Sequence, residues 1–292
     1  MSSSIQSRQS RQPRFIYWVN GEFVPADESV ISLHDVGVLR GYGVFDYLRT
    51  YNGKPFRLMA HLERLRSSAT QIGLNVPLDL EEIAIITEEL IVRNAQPDAA
   101  GHGDVAIRYV ITGGVSENSF TPAESGNLAI MIQPLSESSA KIYANGVKLT
   151  TSRLQREFPT VKSTNYIGAI MAMREAKAEG AVEALYVDSQ NEISECTRSN
   201  FFMVQNGILK TPWKNVLLGI TRKVILEYAA EIVPIEITSI FLKDLENIQE
   251  AFISSSTKEI LPVTQIDQVV IGNGQVGPIT KALAARFKKE TA

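Results

Sequence analysis

Residues 161–172 read VKSTNYIGAIMA and place Lys162 at the mouth of an apolar, small-residue segment. Lysines usually keep their ammonium group in water. A desolvated lysine, however, sheds its proton readily and attacks carbonyl carbons. Lys162 is therefore either a solvated loop cation or an amine held for covalent chemistry. Glu195, in NEISECTRSNFF, lies between apolar stretches, where an unpaired carboxylate is costly. It calls for a cationic neighbour, either Arg198 three residues on or a protonated ring nitrogen of a bound cofactor.

Three further features suit an anion. GIT at 219–221 opens a helical pattern, so the backbone N–H groups of Ile220 and Thr221 lie in a first turn, where the dipole favours phosphate. Plain capping by Thr221 explains the same residues. SSSTK at 254–258 ends an apolar strand with clustered hydroxyls and amides, including Thr257, or is an ordinary turn. Arg64, in HLERLRSSA, carries a fork that matches phosphate oxygens, although most helical arginines are simply solvated. The chain has no GxGxxG or Walker lysine pattern, and no G-x-S-x-G. His34, His61 and His102 show no metal-ligand spacing and Cys196 is the single cysteine, so no metal is expected. An amine, an enclosed carboxylate and a phosphate seat are together what pyridoxal phosphate requires.

The elements that must position these residues read as an α+β chain. Hairpins are expected at Asn20-Gly21, Asn52-Gly53 and Asn206-Gly207. Helices are expected over 61–74, 80–95, 167–180, 219–232 and 280–290, and strands over 104–112, 127–135 and 250–256. The polar stretch 133–146 suggests an interdomain linker, placed at 137–145, which separates a domain over 15–136 from one over 146–292. Residues 1–14, rich in Ser, Gln and Arg, are expected to be disordered. A net charge of −3 gives no case for nucleic acid, and no apolar run is long enough to span a membrane. With its single cysteine, the chain is expected in the cytoplasm.

The ordered set HLERL, KSTNY, ISECTRSNFF, LGITR and SSSTKEILPV resembles the class IV aminotransferases, the fold-type IV pyridoxal phosphate enzymes, over nearly the whole chain after residue 15. The resemblance implies a homodimer with a small N-terminal and a larger C-terminal domain and the cofactor between them. It implies Lys162 as the Schiff-base lysine and proton carrier, and Glu195 as partner of the pyridine nitrogen. Arg64, the amides of Ile220 and Thr221, and Thr257 would hold the phosphate, with Tyr166 near the phenolic oxygen.

Substrate choice follows from two arginines. The Arg-x-His carboxylate trap of the well-known bacterial D-amino acid transaminases is missing, and Glu117-Asn118-Ser119 stands near its place. Instead Arg40 in LRGYGVFDY and Arg198 in ECTRSNFF resemble a smaller, non-standard group of D-amino acid transaminases. That resemblance implies D-glutamate or D-alanine as amino donor and a 2-oxo acid as acceptor. Arg40 is expected to belong to the dimer partner's site. Structural ion pairs with Asp46 or Glu195 are the alternative for both arginines. A branched-chain L-amino acid transaminase, an aminodeoxychorismate lyase using Thr197 and a non-catalytic cofactor-binding protein are the rival functions.

Overall fold

A computed structural model describes residues 15–95, 103–135 and 139–292; the expected disordered start and His102 lie outside them. The first half opens with strands β1 (Ile16–Val19) and β2 (Glu22–Pro25), the short helix α1 (Val36–Arg40), and strands β3 (Gly43–Tyr51) and β4 (Lys54–Pro55). Helices α2 (Leu58–Gln71) and α3 (Leu80–Asn94) and strands β5 (Val105–Thr112) and β6 (Asn127–Pro134) follow. These strands form one sheet in the order β2-β1-β6-β5-β3-β4. Both hairpins expected here are present, with Asn20 and Asn52 at positive φ (47° and 51°) followed by Gly21 and Gly53 (103° and 75°), the backbone pair that asparagine and glycine tolerate best. Alternation along β3 turns Val44, Asp46, Leu48 and Thr50 inward. Leu48 packs with Leu62 and Leu65 of α2 and with Ile107 and Ile130 of the sheet.

After α4 (Ala140–Asn145) come β7 (Val147–Ser152), α5 (Ile167–Ala178), β8 (Glu183–Val187), β9 (Glu192–Cys196), β10 (Asn200–Gln205) and β11 (Ile208–Pro212). The remainder is α6 (Ile220–Ala229), β12 (Ile235–Thr238), β13 (Ile240–Phe241), β14 (Glu250–Ser255), β15 (Glu259–Ile266), β16 (Val269–Val270) and α7 (Pro278–Glu290). The second sheet runs β12-β11-β10-β14-β15-β7-β8-β9-β13, and β9 also meets β10 at Glu195 and Asn200, which curls the sheet back on itself at that point. The result is an α+β chain built around two sheets. No helix among the described residues is long and apolar enough to cross a membrane.

Some regular elements lie where the sequence patterns marked none. The polar stretch taken as a linker is partly regular: Gln133 and Pro134 end β6, and α4 packs Ile142 and Tyr143 on the second core. Strand β15 is absent from the sequence reading because Pro262 sits inside it. Its neighbour β7 joins only from Val263 onward, so Pro262 pairs with β14 on one side alone, the setting in which a strand tolerates proline.

Candidate active site

Lys162 is placed by the first sheet although it follows β7 of the second. Strand β4 covers β3 only at Thr50 and Tyr51, which leaves the edge at Gly43–Phe45 free. The lysine segment fills it: Phe45 N–H donates to the Lys162 carbonyl (2.9 Å), Thr164 N–H to the Gly43 carbonyl (2.9 Å), and Lys162 N–H to Ser68 Oγ (3.1 Å). Val161 is buried in the first core and anchors the turn. The Lys162 ammonium nitrogen lies 4.6 Å from the centre of the Phe45 ring and has no carboxylate ion pair among the described residues. Burial, followed by the Arg64 guanidinium and less strongly by Arg156, brings its pKa down from 10.5 to about 8, against the opposite pull of Asp46 and Glu195.

Around this amine lies a cleft of about 470 Å³. Arg64, Tyr166, Glu195, Arg198, Ile220 and Thr221 all line it, as the sequence leads one to expect. Thr257 does not: Lys258 N–H closes a turn on the Ser255 carbonyl (3.2 Å), which puts Thr257 at the apex, and Ser254, Ser255 and Ser256 form the wall instead. The Ser255 and Thr257 hydroxyls lie 3.5 Å apart. Arg40 lines a second cavity that adjoins the first through Arg156, Tyr166 and Thr197.

At the anion end, α6 begins at Gly219 without any side-chain cap, so its first amides are free to face a ligand. A Cβ on Gly219 would come within 2.0 Å of Asn200 Oδ1, so only glycine lets the helix start this close to β10. Arg64 is not a solvated helical arginine. Asp46, fully buried, accepts its Nε and Nη2 (both 2.8 Å) and also faces His61 Nδ1 (2.7 Å). Burial alone would raise the Asp46 pKa, but Arg64 and His61 hold it well below the usual carboxylate range. Among the described residues Arg64 Nη1 meets only the Leu218 carbonyl, at 3.4 Å. The sequence carried a signal for Asp46, an acid in the inward register of β3; its link to the His61/Arg64 face of α2 is tertiary.

The side-chain cation on Glu195 is Arg156 and not the expected Arg198. Arg156 Nη1 donates to Oε1 (2.6 Å), while Leu217 N–H (3.0 Å) and Asn200 Nδ2 (3.3 Å) donate to Oε2. Burial raises the Glu195 pKa, and Arg156 with the Leu217 amide opposes it. Arg156 also donates to the Pro159 and Val161 carbonyls, tying the carboxylate to the loop that presents Lys162. Nothing local in REFPTVK marks Arg156 for that role. Tyr166 stands at the start of α5 and sets its ring edge-on to Phe45, 5.4 Å between centres.

The model of the amino-transferase class IV family matches residues 43–266. The chain belongs to that family. A putative branched-chain-amino-acid aminotransferase of Methanocaldococcus jannaschii is 36% identical over 286 residues, covering 93% of this chain and 94% of that protein. A D-alanine aminotransferase of Staphylococcus aureus is 32% identical over 287 residues, covering 93% and 96%. Among solved structures, the branched-chain amino acid aminotransferase of Escherichia coli superposes with a TM-score of 0.86 at 27% identity, covering 94% of each chain. That of Thermobaculum terrenum, in its PLP-bound holo form, gives 0.85 at 25%, covering 96% and 95%.

Class IV aminotransferases depend on pyridoxal 5'-phosphate, and the cleft residues fit it. Ser254 Oγ is buried with no hydrogen-bond partner among the described residues, at the cleft wall beside the uncapped helix. Arg64, the Ile220 and Thr221 amides and the serines of 254–256 would hold the phosphate, Glu195 the ring nitrogen and Lys162 the aldehyde carbon. Replacement of Arg64 by alanine is expected to weaken cofactor holding more than chemistry, by about 1.5–3 kcal/mol for a lost charge-assisted pair. Dialysis against phosphate buffer measures it: the variant should release pyridoxal phosphate faster, whereas equal retention would return Arg64 to a structural role on Asp46.

Proposed function

We propose that this class IV aminotransferase moves an amino group between a D-amino acid of the glutamate or alanine type and a 2-oxo acid. The observation that supports this reading is the freedom of two guanidinium groups. Asp46 is occupied by Arg64 and His61, and Glu195 by Arg156. Neither Arg40 nor Arg198 makes an ion pair among the described residues, although both line the adjoining cavities. Every amino-acid substrate brings an α-carboxylate, but a glutamate-type side chain offers a second anion to a second cation, which a branched apolar side chain does not.

Bound pyridoxal phosphate supplies an aldehyde that takes up the amine and a ring that accepts electrons from the substrate α-carbon. The chain supplies the rest. Lys162 Nζ, when unprotonated, would carry the α-proton between the substrate and the cofactor. Glu195 would keep a proton on the ring nitrogen, and Tyr166 would lie near the phenolic oxygen. Arg40 and Arg198 orient the substrate carboxylate. Because Lys162 reaches the substrate from one face, the side on which the carboxylate is held selects the enantiomer. Thr197 is committed elsewhere, its hydroxyl 3.0 Å from Glu183, which disfavours a lyase using that group.

Leu33, Val38, Val115 and Phe120 expose apolar surface around α1, the helix that ends on Arg40. A homodimer that covers this patch would carry Arg40 to the neighbouring subunit's site, and the oligomer mass at assay concentration checks it. A cytoplasmic location accords with the lone, buried Cys196.

The names of the relatives divide between branched-chain and D-alanine aminotransferases, and half-reactions decide. D-glutamate or D-alanine should bleach the cofactor absorbance faster than L-leucine; the reverse order overturns the D-specific reading. Arg198→Ala should raise KM for D-glutamate roughly 10- to 100-fold with a smaller change in kcat, as expected for about 1.5–3 kcal/mol of uniform carboxylate binding.

A further inference from the structure

A further buried carboxylate lies behind the cleft wall and does not itself line the cleft. Glu183 opens β8 and is fully buried. Its Oε1 accepts from Lys258 Nζ (2.7 Å) and Ser199 Oγ (2.7 Å), and its Oε2 from the Arg198 backbone N–H (2.8 Å) and Thr197 Oγ1 (3.0 Å). All four donors come from two short stretches. One is the turn 197–199 between β9 and β10, which carries Arg198; the other is the turn 256–258 that follows the serine wall. The first stretch lines the cleft and the second meets it at Ser256, whereas Glu183 does not line it. Burial by itself would push the Glu183 pKa up, yet the Lys258 ammonium and the hydroxyl donors bring it below the usual value, so the group is a carboxylate throughout the working range.

The geometry is that of a strut. A turn of three residues has few internal bonds to fix it. Here Cys196 N–H bonds to the Ser199 carbonyl (2.8 Å) and Thr197 N–H to the Ala184 carbonyl (3.0 Å), and the remaining donors converge on one carboxylate. Those backbone bonds hold the turn in place on the sheet. The carboxylate sets its pitch, because it engages three consecutive residues at once. The Arg198 side chain is exposed and makes no ion pair among the described residues, so the direction in which it leaves the wall depends on its backbone.

We propose that Glu183, braced by Lys258, is a positioning residue that aims Arg198 at the substrate carboxylate and so helps set the amino-donor preference. The inference rests on Arg198 being a substrate cation, as argued above. It makes Lys258 part of the same device: the lysine ties the substrate side of the cleft to the serine wall at its anion end.

The test is a double-mutant cycle on the holoenzyme. Glu183→Gln keeps the shape and loses the charge. It should raise KM for D-glutamate at least fivefold, leave the visible cofactor spectrum in place and change kcat less than KM. In an Arg198→Ala background the same substitution should change KM less than twofold, since the side chain it aims is gone. An equal KM rise in both backgrounds, or a loss of activity accounted for wholly by lost cofactor, overturns the inference and leaves Glu183 a structural group. An unchanged Glu183→Gln enzyme overturns it as well. Should Arg198→Ala alone leave D-glutamate kinetics unaltered, the reading of the substrate site fails instead, and the two failures are told apart by that arm. If Glu183→Gln does not fold, Glu183→Asp, which keeps the charge and shortens the reach, should show a smaller KM rise that again vanishes without Arg198.

Discussion

Lys162→Ala is expected to give a folded protein that neither attaches pyridoxal phosphate covalently nor transaminates. Folding should survive because the segment is held by main-chain bonds to β3 and Ser68 and by buried Val161. Among the described residues the side chain makes no ion pair that the fold would miss. Activity should fall by at least about three orders of magnitude, or roughly 4 kcal/mol at about 1.4 kcal/mol per tenfold. Loss of the visible cofactor absorbance, beside an unchanged circular dichroism spectrum, is the measurement; a fully active variant would sink the assignment.

The same lysine predicts a pH dependence. Its pKa of about 8, against an ordinary 10.5, leaves about one amine in ten unprotonated at pH 7, where an unperturbed lysine has about one in three thousand. Capture of added cofactor by the cofactor-free parent should therefore accelerate with pH and level off above about 8. The stability effect has a definite sign. Between 8 and 10.5 the unfolded chain binds this proton more tightly than the folded one. The cofactor-free fold should then gain stability as pH rises through that window, and the Lys162→Ala variant should lack that gain.

Glu195→Gln is expected to keep the cofactor and slow the proton-transfer step by roughly 100- to 1,000-fold, or about 3–4 kcal/mol. The amide preserves the shape but removes the charge that keeps a proton on the ring nitrogen. It also presents Arg156 Nη1, now 2.6 Å from Oε1, with a weaker acceptor or an opposing N–H. Leaving that guanidinium without its carboxylate should lower stability too, by about 1–3 kcal/mol. Single-turnover rates with D-glutamate separate the two effects, because the melting temperature reports stability alone. An unchanged single-turnover rate would remove Glu195 from the proton-transfer step.

By itself the sequence determined the local elements and the residue types of the cleft. Asn-Gly pairs set the hairpins because only a few residues accept positive φ, and the period of apolar residues marked α2, α3, α5, α6 and α7. The motif residues Arg64, Lys162, Tyr166, Glu195, Ile220 and Thr221 all reach one cleft. Thr257 does not, because the turn after β14 puts it at the apex while Ser254 faces inward. Other features were decided only by the tertiary structure. The pairing of 162–164 with the open edge of β3, Arg156 on Glu195, Asp46 behind Arg64, and Glu183 behind Arg198 each join stretches far apart in the chain. Periodicity tells which face of a strand or helix is buried, but not which distant segment covers it. A buried carboxylate in a sequence demands donors without naming them. Here the fold supplies them, and among the described residues it leaves Arg40 and Arg198 without ion pairs.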